Sequence, residues 1–210
     1  MQDEEKRRPE ATEEPDGSIM EFRLTYDGEL KSATKSKGRV EHKHEIRRVF
    51  HRQMRSVWAT HPALGPVNTQ RLWEREDFMR YHRDGFKWLP LVLKNQFMIC
   101  ELDVLILRRG RPGNFITQGD IDGKVKTLFD ALQRPEPGVL SAEGIAPEED
   151  EEPFYCLLED DALIHKAAIE TDSLHGPLMI GGKAIEESKN DARVVIKVTT
   201  KTIHKNPWQP

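Results

Sequence analysis

The chain has 210 residues, of which 37% are hydrophobic and 32% charged, with a formal net charge of −4. This length favours one domain, and no apolar run approaches the ~18 residues that would indicate a membrane span. The first residues lack the apolar centre of a secretory signal, and the two cysteines, Cys100 and Cys156, are not in a CxxC pair. We therefore expect a cytoplasmic protein, although a disulfide between the two cysteines stays open.

The net charge hides an uneven distribution along the chain. Residues 1–17 hold seven acids and three bases, and residues 143–161 hold nine acids and no base. The intervening residues 18–142 carry a net charge of +7. A basic body between two acidic segments suits a polyanionic partner.

The two ends of the chain differ in composition from its body. Residues 1–17 combine charge, proline and polar side chains with almost nothing to bury, which predicts a disordered acidic tail. We expect one domain over residues 18–205 and a short C-terminal tail at 206–210. Residues 134–153 are rich in proline, glycine and acid, which predicts an acidic loop inserted in that domain.

Hydrophobic periodicity predicts the elements in chain order. Apolar runs predict strands over 19–26, 86–93, 97–108 and 192–201, with strand-like apolar character also over 154–170. Apolar residues at helical spacing predict helices over 41–59, 71–84 and 122–133, and 31–40 and most of 171–191 are predicted loops. Together they predict a single α+β domain in which a mixed β-sheet is flanked by helices.

A basic stretch, residues 31–55, holds nine lysine or arginine residues and two acids. It is either a surface that contacts DNA phosphates or an ordinary solvated helix face. A second basic segment is the turn at 108–114. The candidate DNA contacts of both segments are Lys35, Lys37, Arg39, Lys43, Arg47, Arg48, Arg52, Arg108, Arg109 and Arg111.

The segment GDIDGKVKTLFDAL, residues 119–132, places two carboxylates where a helix begins. Leu128 and Leu132 lie on the apolar face of that helix. Asp122 and Lys126 are neighbours at i and i+4 on its flank, and Asp120 lies just outside the helix. Capping with a surface ion pair explains these residues, and so does metal chemistry.

A second acidic group, LLEDDALI at 157–164, sets three consecutive acids inside an apolar run. Burying a carboxylate beside leucine costs several kcal/mol unless cations or hydrogen bonds compensate. A tight turn at Asp160 and Asp161 would avoid that cost. A hard cation such as Mg²⁺, which binds carboxylate oxygens and keeps waters for a phosphate oxygen, would instead explain both acidic groups together.

DIDGKVKTLFDAL followed by LEDDALI resembles the RusA family of Holliday junction resolvases. The resemblance covers about residues 97–132 and 157–201, and more loosely 19–59. The chain departs from the family pattern at Gly123, where the family usually has asparagine. The stretch before the Asp-Asp pair is also longer than in the family.

The resemblance implies a homodimeric endonuclease that uses Mg²⁺ or Mn²⁺ to cut branched DNA, such as four-way junctions. The implied metal ligands are Asp120, Asp122 and Asp161 with Asp160 as an accompanying acid, and the implied catalytic lysine is Lys126. Two other classes stay open: a RusA-like module that binds DNA or a protein without cutting, and a metal-dependent phosphatase or nuclease with another substrate. Residues 181–183 (GGK) lack the rest of a P-loop, so we expect no nucleotide cofactor.

Overall fold

The computed structural model describes residues 20–32, 38–62, 64, 81–109, 121–184 and 187–203, which form an α+β structure. The described helices are α1 (Arg39–Thr60) and α2 (Ile121–Leu132). The described strands are β1 (Met20–Glu29), β2 (His82–Arg83), β3 (Phe86–Val92), β4 (Met98–Arg108), β5 (Phe154–Leu158), β6 (Ile164–Ser173), β7 (Met179–Ile180), β8 (Lys183–Ala184) and β9 (Asp191–Thr202).

The larger sheet has the strand order β1-β9-β4-β6. β9 pairs antiparallel with both β1 and β4, whereas β6 pairs parallel with β4, so the sheet is mixed. Alternate residues of β4, including Leu102, Val104 and Ile106, are buried on one face, as the period of two in a strand requires. Helices α1 and α2 pack on this face through residues such as Phe50 and Leu128.

A second core forms around a three-stranded sheet, whose strand order is β2-β3-β5. The rings of Phe86, Trp88 and Phe154 pack together there, with centroid separations of 4.6 to 5.6 Å. Leu140, from the predicted acidic loop at 134–153, is buried in the same core. That segment has little regular structure, but it is packed against the domain rather than free in solvent.

Most predicted elements are confirmed, with ends that shift by a few residues. The helix predicted over 71–84 lies mostly outside the described residues, and its end is wrong because residues 82–83 form a strand. The strand-like run at 154–170 is two strands joined by a turn, and the second extends to residue 173. The predicted tails at 1–17 and 206–210 lie outside the described residues.

The structure also bears on two further questions raised by the sequence, a disulfide bond and a membrane span. Cys100 and Cys156 are both buried as free thiols, so no disulfide joins them. Among the described residues, neither helix combines the length and the apolar composition that a membrane crossing requires.

Arg47 joins the two helices from a buried position on α1. Its Nε donates a hydrogen bond to the carbonyl of Gln133 (3.0 Å), and its Nη2 donates to the carbonyl of Asp130 (2.6 Å). Carbonyls at the C-terminal end of a helix lack partners within the helix, so the guanidinium satisfies groups that α2 cannot. Arg47 also lies 5.9 Å from the ring centroid of Trp88, which links α2 to the second core.

We predict that Arg47→Ala lowers the free energy of unfolding by about 2–4 kcal/mol, because it removes charged hydrogen bonds and leaves carbonyls without a donor. Urea denaturation measures this. The matched control is Arg52→Ala on the exposed side of α1, which should change the free energy by no more than about 0.5 kcal/mol. Equal effects of the two substitutions would contradict this role of Arg47.

His44 predicts a specific dependence of stability on pH. Burial, and then the positive charge of Arg47, lower the pKa of His44 to about 3 in the folded chain, against about 6.5 when unfolded. The folded state therefore loses stability as the pH falls below about 6.5, because only the unfolded chain takes up the proton. In His44→Phe, the slope of unfolding free energy against pH between 6 and 4 should fall by up to about 1.4 kcal/mol per pH unit. An unchanged slope would show that His44 is not held neutral.

Candidate active site

Of the first acidic motif, Asp122 lies in the first turn of α2, as predicted. Asp122 is exposed in the first turn, and Lys126 is exposed one turn later on the same flank. Gly123 is part of the helix, and its carbonyl accepts a hydrogen bond from the Thr127 hydroxyl (3.0 Å). The departure from the family pattern at Gly123 therefore leaves the first turn of α2 intact, at a helix-propensity cost of up to about 1 kcal/mol relative to alanine.

Two buried cations flank the first acidic motif in the sequence. Lys124 is only 3% exposed, and Arg108, the last residue of β4, is 7% exposed. Burial, and second the charge of Arg108, lower the pKa of Lys124. The two side chains are therefore close enough to repel each other electrostatically.

Lys124 was not among the residues predicted from the sequence, but a signal for it exists. It lies four residues before Leu128, and both are buried on the same face of α2. The periodicity that places Leu128 in the core therefore places Lys124 beside it. Lysine is normally an exposed residue type, so its position on an apolar face is the informative observation.

Asp160 and Asp161 lie in the turn between β5 and β6. Oδ1 of Asp160 accepts a hydrogen bond from the backbone N–H of Ala162 (2.9 Å), so Asp160 caps a short 3₁₀ turn. The backbone N–H of Asp161 donates to Oε1 of Gln133 (2.7 Å). Both aspartates are exposed, so the turn accounts for Asp160 without a metal.

The turn with Asp161 lies at the opposite end of α2 from Asp122. Gln133, its hydrogen-bond partner, directly follows the last residue of α2. The separation from Asp122 to Gln133 corresponds to about 16 Å of helical rise.

The strand register agrees with this placement. Ile164, just after the turn, pairs with Cys100 near the start of β4. Arg108 lies at the other end of β4, and its charge is the one that helps to lower the pKa of Lys124 in the first turns of α2. From Cys100 to Arg108 the strand rises about 26 Å.

The Gln133 contact and the strand register therefore associate Asp161 with the C-terminal end of α2 and Asp122 with its start. The described residues hold no group of three or more aspartate, glutamate, histidine or cysteine side chains that could bind a metal. Asp120 lies outside the described residues. Of the carboxylates that the resemblance implies as metal ligands, the structure thus describes Asp122, Asp160 and Asp161 but not Asp120.

Arg47 corrects the expectation of a DNA-binding face on α1. It is 3% exposed and engaged with α2, so its guanidinium cannot contact a phosphate in this structure. Its neighbours are also engaged: Lys43 Nζ pairs with Asp130 at 2.6 Å, and Arg48 Nε pairs with Glu151 at 2.6 Å. Glu151 belongs to the acidic segment 143–161, so part of that segment neutralises the helix.

The remaining candidate DNA contacts have varied environments. Arg52 is exposed, whereas Arg39 is partly buried at the start of α1. Arg109 pairs with Glu187 at 3.1 Å and lies 3.7 Å from Asp191. Three further predicted DNA contacts, Lys35, Lys37 and Arg111, lie outside the described residues.

The chain matches no protein-family model, no curated protein and no solved structure at a significant level. The likeness to the RusA family therefore rests on the motif residues alone, chiefly those at 119–132 and 157–164.

Proposed function

We propose that the chain is a RusA-type endonuclease that uses Mg²⁺, or Mn²⁺, to cut branched DNA such as four-way junctions. The observation that supports this most is the arrangement of charges at the N-terminal end of α2. Asp122 and Lys126 are exposed there on consecutive turns, and two further cations, Lys124 of α2 and Arg108 at the end of β4, are buried. Metal-dependent hydrolysis of a phosphodiester needs carboxylates that hold the metal and positively charged groups that stabilise the phosphate oxygens.

The donor chemistry of this end of α2 fits a hard cation. Asp120 and Asp122 would hold the ion through carboxylate oxygens, and Mg²⁺ usually needs only one or two carboxylates besides waters and phosphate oxygens. When bound, the ion would neutralise charge on the phosphate and activate a water molecule. Lys126 presents its ammonium on the same flank, where it would stabilise negative charge that develops on the phosphate oxygens.

A RusA-like module that binds without cutting is the second candidate. The separation of Asp161 from Asp122 along α2 favours it, because the family resemblance implies that both carboxylates contribute to one metal site. The two candidates differ in whether two carboxylates at the start of α2 suffice for cleavage.

Cleavage of a synthetic four-way junction, compared with linear duplex and measured with and without Mg²⁺, tests the proposed function. Asp122→Asn should lower the cleavage rate at least about 100-fold, equivalent to about 3 kcal/mol, while junction affinity is kept. Asp103→Asn, at an exposed position on β4, is the matched control and should leave the rate unchanged.

The outcomes separate the candidates. A wild-type chain that binds junctions but never cuts them is the binding module, and equal cutting of linear duplex refutes the junction preference. Asp161→Asn then distinguishes the two arrangements of ligands. An unchanged rate supports a site built at the start of α2, whereas a loss as large as that of Asp122→Asn shows that Asp161 reaches the metal.

A four-way junction presents two symmetry-related strands, so we propose that the enzyme acts as a homodimer. The edge strand β6 is a candidate surface for the second copy. Residues 165–170 are exposed on both of its faces, and Ile169 is 38% exposed. In an antiparallel pair of β6 strands centred on Ala168, Lys166 of one copy would lie opposite Glu170 of the other, so the strand is complementary to itself.

We predict that charge reversal at this edge changes the oligomeric state, as measured by sedimentation. Lys166→Glu should convert a dimer to a monomer, because it places two acids opposite each other. The double substitution Lys166→Glu with Glu170→Lys should restore the dimer. A wild-type monomer, or a dimer that all these variants retain, would exclude β6 as the interface.

A further inference from the structure

The acidic residues 148–152 lie against α1, and we call them the acidic strap. His51 of α1 contacts the backbone at two points along and just after the strap. Its Nδ1 accepts a hydrogen bond from the backbone N–H of Tyr155 (2.9 Å). The ring proton is therefore on Nε2, which donates to the carbonyl of Asp150 (3.3 Å). These contacts hold the strap in one place on the helix.

Two glutamates of the strap bind the same arginine of α1, but they differ in exposure. The side chain of Glu151 is 3% exposed, and its Oε1 accepts a hydrogen bond from Nε of Arg48 (2.6 Å). Its Oε2 accepts from the backbone N–H of Glu148 (2.9 Å). The carboxylate of Glu148 pairs with Nη2 of Arg48 at 2.9 Å, but this side chain is 61% exposed. Glu151 is therefore part of the packed structure, whereas Glu148 is a cover that solvent reaches.

Arg48 begins a row of three arginines on α1, which we call the arginine row: Arg48, Arg52 and Arg55. Their spacing of i, i+4 and i+7 places them on one side of the helix, within about 60° of arc and over about 10 Å of its length. Arg52 and Arg55 are exposed, and the side chain of Arg48 is 25% exposed. The row is separate from Arg47, which holds α2. The same side of the preceding turns carries Glu41 and Glu45.

A carboxylate on a guanidinium occupies a position that a phosphate can take. Both groups accept hydrogen bonds from the same planar set of N–H donors, and arginine binds both with high geometric specificity. Glu151 holds Arg48 through Nε, so Nη2 is presented where Glu148 pairs with it. An exposed ion pair is weak, whereas a DNA strand offers several phosphates to the row at once. DNA can therefore replace Glu148 without displacing Glu151.

We propose that the arginine row contacts the DNA backbone, and that Glu148 inhibits this contact by occupying the guanidinium of Arg48 until a phosphate takes its place. This inference rests on the proposed function and adds to it an internal control of DNA affinity. The positive row and the polyanionic backbone are complementary in charge. Glu151 is a positioning residue, because it orients Arg48 from a buried position.

The affinity for a fluorescent four-way junction tests the role of Glu148. It is measured in the Asp122→Asn background without Mg²⁺, so that no cleavage occurs. Glu148→Gln should raise the affinity about two- to fivefold, the range expected when an exposed ion pair no longer competes. The matched control is Glu149→Gln. Glu149 is also exposed and loses the same charge, but the ion pair with Arg48 belongs to Glu148, so the control should leave the affinity unchanged.

A second background shows whether Glu148 acts through Arg48. Arg48→Gln together with Glu151→Gln removes both partners of the buried contact, so no charge is left buried alone. Circular dichroism with urea denaturation verifies that this variant folds. Adding Glu148→Gln to it should leave the junction affinity unchanged. A gain as large as that in the parent would show that Glu148 acts through net charge and would refute the contact.

Salt dependence measures the arginine row itself. Each phosphate contact contributes a slope of about −0.9 to the plot of log affinity against log salt concentration. Arg52→Gln with Arg55→Gln should weaken binding and lower the magnitude of the slope by about two. Lys183→Gln with Lys189→Gln removes the same charge at exposed positions on β8 and before β9, and should keep the slope. Equal slopes for the two double variants would contradict the row.

Failure of this inference can be distinguished from failure of the proposed function. If neither the parent nor Glu148→Gln binds the junction, both fail. If the parent binds and Glu148→Gln has the same affinity as Glu149→Gln, only the inference is refuted. Polyglutamate as a competitor separates an acidic protein partner from DNA. If it displaces the junction at a lower concentration of charge than unlabelled duplex does, the row binds acidic protein and the assignment to DNA is wrong.

Discussion

The hydrogen bonds from the Arg47 guanidinium to the carbonyls of Asp130 and Gln133 fix where α2 lies in the fold. They anchor the C-terminal end of α2 to α1, and the contact with Trp88 anchors the same point to the second core. A helix held at its C-terminal end presents its other end, with Asp122, at a defined place near the end of β4. The charges that look suited to DNA binding on α1 are thus used to hold the helix that carries the candidate site.

The two ends of α2 have different physical roles. At the C-terminal end, carbonyls are satisfied by Arg47, and Gln133 accepts the backbone N–H of Asp161. At the N-terminal end, Asp122 and Lys126 are exposed while Lys124 is buried. Hydrogen bonds hold the C-terminal end, whereas the start of α2 presents charged side chains, which is the distribution expected when a binding site sits on a rigid element.

Much of the fold could be predicted from sequence because strand and helix periods dictate which residues face the core, as in β4 and α2. The candidate site was predicted only in part. Asp122 and Lys126 follow from local spacing, but the position of Asp161 depends on a turn whose hydrogen-bond partner, Gln133, lies 28 residues earlier, just after α2. The burial of Arg47 could not be predicted from α1 alone. Its environment is made by distant segments, including the loop-like stretch 134–153, whose composition gives no sign that it packs.

The central claim is that the start of α2, rather than the turn at Asp160 and Asp161, holds the metal. The most direct measurement is paramagnetic broadening of backbone amide NMR signals by substoichiometric Mn²⁺, with Asp122→Asn as the reference. The account predicts that the broadening is strongest at Asp122 and Gly123, weaker at Gln133, about 16 Å away along the helix, and at its hydrogen-bond partner Asp161, and lost in the variant. Broadening centred on Asp161, or unchanged in Asp122→Asn, would contradict it.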